Sequence, residues 1–165
     1  MLIALLIAAQ ALASPPPAPA CRAGQLRLSL DGRDGDFNGV SHAGTELSIR
    51  NTGRDCTVPA LPLVQLRDAR GRVLPAARKA SVGMHPGPVM VPLRLAGGHR
   101  ATTGLRWVSG PVFPHSRSMR AANLVVKIGA DTLRVPISAV LYGEAGKPVG
   151  FEQSPLHAQE GMAAG

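Results

Sequence analysis

Short runs in which apolar and polar residues alternate dominate this chain, and they predict strands. Leu26, Leu28 and Leu30 alternate with Arg27 and Ser29, the pattern of a strand with one buried face. A Gly-, Asp- and Asn-rich loop is expected over 31–44. Leu47 and Ile49 then mark a second strand over 46–50, turned by Asn51-Thr52-Gly53. Residues 63–67 read as a third strand, Asp68-Ala69-Arg70-Gly71 as its turn, and 72–76 as a short fourth. In 89–95, Val89, Val91, Leu93 and Leu95 are expected inward, with Arg94 outward. Pro92 cannot donate a ladder hydrogen bond and places that strand at an edge.

After Gly97-Gly98, the residues Ala101, Thr103, Leu105 and Trp107 share one face. Leu124, Val126 and Ile128 form a further strand, and Gly129-Ala130-Asp131 turns it back into 133–141. Turn signals recur every ten to fifteen residues and no window carries a strong 3.6-residue stripe. The expectation is an all-β protein, an antiparallel β-sandwich of seven to eight strands. Beyond Tyr142 the alternation stops, so 143–165 reads as mostly a flexible C-terminal tail, leaving 21–142 as the sandwich domain.

The first twenty residues follow a different pattern. Leu2 to Ala9 is wholly apolar, and Ala11-Leu12-Ala13 has the small-x-small form of a cleavage site, so 1–13 reads as a signal peptide. Its run is too short to span a bilayer, and no later segment approaches the length of a transmembrane helix. Residues 14–20 form a Pro/Ala linker, extended and not expected to pack. A periplasmic or secreted location follows. There, the thiols of Cys21 and Cys56 can join, since Cys21 opens the first strand and Cys56 lies just past the second. The competing reading is lipidation of Cys21 within Ala18-Pro19-Ala20-Cys21, which would leave Cys56 alone.

Composition narrows the function only slightly. The formal net charge is +8, and the basic residues are overwhelmingly Arg, with Lys only at 79, 127 and 147. Aromatics make up 3% of the chain, so the core is aliphatic and the stacking platforms of single-strand nucleic-acid binders are missing. A specific nucleic-acid partner is not expected. An anionic surface component or an envelope protein is. Arg67, Arg70, Arg72, Arg78 and Lys79 cluster around one turn as a candidate anion-binding patch, or as a charged edge that resists strand addition.

No catalytic motif is present. His42, His85, His99, His115 and His157 are scattered without metal-site spacing. Met84, His85 and Met90, together with His115 and Met119, put thioethers beside imidazoles in expected loops, a donor set that suits copper. These residues carry the alternative reading, a periplasmic copper-binding protein. The leading expectation is a non-enzymatic exported binding or scaffolding module.

One resemblance stands out. Cys21-Arg22-Ala23-Gly24-Gln25-Leu26 is followed by Leu47-Ser48-Ile49-Arg50-Asn51-Thr52-Gly53-Arg54-Asp55-Cys56. Then come Pro62, Val64-Gln65-Leu66-Arg67-Asp68-Ala69-Arg70-Gly71 and Leu95-Ala96-Gly97-Gly98-His99-Arg100-Ala101, leading into Leu105-Arg106-Trp107. Over roughly 21–141 this resembles the exported bacterial domain of unknown function 4232. The resemblance implies an immunoglobulin-like sandwich with Cys21 paired to Cys56, and it carries over no catalytic residue.

Overall fold

The computed structural model describes residues 17–31, 41–79 and 90–159. A single 3-10 turn at Ala23–Gln25 precedes eleven strands: β1 Leu26–Leu30, β2 His42–Asn51, β3 Cys56–Val58, β4 Leu63–Arg67, β5 Ala76–Arg78, β6 Leu93–Leu95, β7 Arg100–Val108, β8 Ser116–Ile128, β9 Asp131–Glu144, β10 Val149–Gln153 and β11 His157–Gln159. One sheet has the order β1-β2-β7-β10-β5, with β11 beside the far end of β7. The second has the order β4-β8-β9, and β3 and β6 pair as a two-stranded ribbon. The runs β1-β2-β7 and β4-β8-β9 reproduce the A-B-E and C-F-G orders of an immunoglobulin-like sandwich. Pairing is antiparallel except between β10 and β5.

The alternation read along the chain becomes the two inner faces. Leu26, Leu47, Ile49, Ala101, Leu105 and Trp107 from one sheet meet Val64, Leu66, Leu124, Val126, Ala139 and Leu141 from the other. Val58 and Leu95 of the ribbon close one end. Burial of these aliphatic side chains, at roughly 1.5–3 kcal/mol each, drives the assembly. β8 and β9 pair over nearly their whole length, with one register shift between Ala121 and Asn123.

Among the described residues the sandwich has eleven strands, four of them three-residue pieces too short to show alternation. Three expectations need correction. The strand expected over 72–76 lies at Ala76–Arg78; Val73 makes only an isolated bridge to Arg67. The strand expected over 89–95 is confined to Leu93–Leu95, and Val91 faces solvent at 68% exposure.

The segment read as a loose tail is the third case. Val149–Gln153 and His157–Gln159 both pair with β7, and Val149, Phe151 and Leu156 are buried. Gly143 and Gly150 are packing residues. A Cβ on Gly143 would lie 2.7 Å from a Val149 methyl, and one on Gly150 would strike the Lys79 stem. The linker is not wholly free either, since Thr57 N–H donates to the Pro19 carbonyl at 2.8 Å and Ala20 bridges Thr57. Residues 1–13 and 160–165 lie outside the described residues.

Candidate functional site

The most densely bonded part of the molecule is structural. Cys21 and Cys56 are joined, with Cα atoms 4.9 Å apart. Asn51, fully buried at the end of β2, organises the surrounding loops. Its Nδ2 donates to the carbonyls of Leu95 (3.0 Å) and Arg54 (2.7 Å), and its Oδ1 accepts from Gly53 N–H (2.9 Å) and Gln25 Nε2 (3.1 Å). Gln25 Nε2 also lies 3.1 Å from Cys56 Sγ.

Asp55 ties the same loop to the β6–β7 turn through Gly97 N–H (3.0 Å) and Arg94 Nη2 (2.9 Å). The Gly97 N–H, and then the Arg94 guanidinium, hold its carboxyl below the usual carboxylate range. Gly97 must be glycine, because a Cβ would fall 2.5 Å from the Gly53 carbonyl oxygen. The Asn-Thr-Gly segment before Cys56 is therefore a loop anchor.

The five-residue basic cluster divides. Arg67 and Arg72 serve the turn between β4 and β5. Arg67 Nη1 donates to the Gly71 carbonyl (2.9 Å), and Arg72 Nε donates to Asp68 Oδ2 (2.7 Å). Asp68 also accepts from the N–H groups of Arg70 and Arg72. Arg70 is exposed.

Arg78 and Lys79 go elsewhere. They line a recess of about 270 Å³ between β5 and the β9–β10 turn, and Lys147 joins them there. Phe113 and Tyr142 form part of the same wall. One carboxylate is present: Glu144 accepts from Lys147 Nζ at 2.6 Å. The recess thus holds three cations, one anion and two aromatic rings. Sequence reading missed Lys147, Phe113 and Tyr142 because no local pattern links Lys79 to positions 34 to 68 residues away.

A second recess, about 280 Å³, lies where β1 and β9 border the two sheets without pairing. Trp107 forms part of its wall. The indole is 8% exposed, and its Nε1–H is buried without a hydrogen-bond partner. Among the described residues, no titratable side chain lines this recess.

Three members of the copper donor set, Met90, His115 and Met119, lie among the described residues. Met84 and His85 lie outside the described residues. Met90 is 43% exposed and His115 is exposed, while Met119 packs against the core with Leu141 as its cross-strand neighbour. Among the described residues, no group of three or more His, Cys, Asp or Glu is arranged to hold a metal ion. No described helix is long and apolar enough to cross a membrane.

A family model described as Domain of unknown function (DUF4232) matches residues 21–155. The chain belongs to that family. No curated protein and no solved structure matches it. The match runs past Leu141 to take in β10, consistent with that strand being integral to the sandwich. The disulfide that the resemblance implied is present.

Proposed function

We propose that this member of the family is an exported, non-enzymatic binding module that holds an anionic component of the cell envelope. The convergence of Arg78, Lys79 and Lys147 on one recess carries the reading. Three cations against one carboxylate leave a net positive wall, and each ammonium or guanidinium can make a charge-assisted hydrogen bond to a carboxylate or phosphate. Phe113 and Tyr142 add apolar surface on which a ring can rest. The overall charge of +8 draws anions toward the molecule before any contact forms. The leader at 1–13 and the Cys21–Cys56 link both fit an oxidising compartment. Neither recess supports an argument for acid–base chemistry: one has no titratable lining, and in the other the single carboxylate is already paired.

The test is binding to polygalacturonate and to phosphatidylglycerol vesicles across a salt series. Binding is expected to weaken steeply with salt. Combining Arg78→Gln, Lys79→Gln and Lys147→Gln should cost about tenfold or more in affinity, at roughly 0.5–1 kcal/mol per exposed charge. Arg70→Gln, outside the recess, should change little. Binding that ignores salt, or that survives the triple substitution, would refute the proposal.

A further inference from the structure

We infer that the Trp107 recess is a second binding site, independent of the anion site, and that it takes a small neutral ring compound bearing one strong hydrogen-bond acceptor. Three observations converge. The first is shape: the two sheets part between β1 and β9, and the gap is a recess of about 280 Å³ with no charged group in its wall among the described residues. The second is chemistry. Leu30, Ala43, Pro136, Ile137 and Ala139 make the wall mainly apolar, and the hydroxyls of Ser109 and Ser138 are its free polar groups. Thr45 is already committed, donating to Asp31 Oδ1 at 2.8 Å. An ion would find nothing there to offset its desolvation, so the ligand is neutral.

The third observation is the indole itself. Trp107 Nε1–H is a donor without an acceptor, in a residue more than nine-tenths buried. Buried donors are nearly always paired, and an exception in the wall of a recess points to a partner from outside. Nε1 is covered from solvent, so pairing requires the indole to move. An occupant that pairs it therefore changes the environment of the whole ring. Size follows by proportion: a cavity of about 150 Å³ holds a benzene, so this one holds roughly eleven non-hydrogen atoms. A bicyclic ketone has that size and supplies the acceptor.

Trp107 is the one tryptophan of the chain, so ¹⁵N-labelled protein shows a single indole N–H resonance. Titration with 1-tetralone is expected to move that resonance saturably. Tetralin, the same bicycle without the carbonyl, should bind about tenfold more weakly, the worth of one buried hydrogen bond. In Trp107→Phe the N–H is gone, and ligand-observed NMR should find the two affinities converging. Ser138→Phe, at an exposed position of the wall, should block both compounds. The Arg78→Gln, Lys79→Gln and Lys147→Gln protein should bind 1-tetralone like the native protein, which separates this site from the anion site. An indole resonance unmoved by millimolar 1-tetralone would overturn the inference. So would equal binding of the two compounds to the native protein. That comparison needs no variant, so it decides the matter even if Trp107→Phe fails to fold.

Discussion

Asn51→Ala removes the side chain on which the loops around the disulfide converge, and its cost follows from four bonds. The bond from Nδ2 to the Leu95 carbonyl is fully buried. Losing it strands an acceptor away from water, at about 2 kcal/mol. The bonds to Arg54 O, Gly53 N–H and Gln25 Nε2 are half-buried, so water recovers part of each. Together they are worth about 2 kcal/mol more. The total, about 4 kcal/mol, is a large share of the roughly 5–15 kcal/mol that holds a domain folded.

With an m-value near 2 kcal/mol/M for a chain of this size, the urea midpoint should fall by about 2 M. The melting temperature should fall by about 10 °C. Urea unfolding followed by Trp107 fluorescence, with the disulfide intact, reads this directly. Asn51→Asp is the companion variant. It sets a carboxylate oxygen where Nδ2 now donates to two carbonyls 2.7 and 3.0 Å away, so it should cost at least as much. A midpoint shift below about 0.5 M for Asn51→Ala would show that the loops hold together without this side chain.

Replacing Cys21 and Cys56 together by Ala should cost about 4 kcal/mol in the chain-entropy model, given their separation of 35 residues. Identical urea curves for that variant and the oxidised protein would contradict it. Gly97→Ala should destabilise by about 1–3 kcal/mol because its Cβ meets a backbone oxygen, whereas Gly104→Ala, with only Ser154 Oγ at 3.6 Å, should be near neutral. Equal melting temperatures for the two glycine variants would show that the β6–β7 turn can shift. Asp55 has a folded-state pKa below its unfolded value, so its stabilising effect is present above the unfolded pKa and is lost as pH falls through the folded one. Asp55→Asn should therefore flatten the acid side of the stability–pH curve, and an unchanged acid limb would refute the assignment.

The legibility of the chain varied with the length of its strands. β1, β2, β7, the second half of β8 and residues 133–141 of β9 each carry enough alternating positions to show a face. β10 does not. Val149 and Phe151 alternate with Gly150 and Glu152, but the flanking glycines suggest loose chain until Val149 is seen packing against Gly143. The half of β8 before Asn123 pairs with β9, yet Arg117, Ser118 and Arg120 hide its pattern. The basic cluster divides for a related reason. Neighbours in sequence around a turn were grouped, but Asp68 and Gly71 claim Arg67 and Arg72, and the sheet carries Arg78 and Lys79 to Lys147.

Local order in the sequence determined the all-β character, the principal turns and the pair of cysteines available for bonding, because each depends on residues within a few positions of one another. Tertiary structure alone decided which edges stay unpaired, which cations share a recess and that the single tryptophan lines a gap between sheets. Those outcomes depend on side chains tens of residues apart, brought together only when the two apolar faces close on each other.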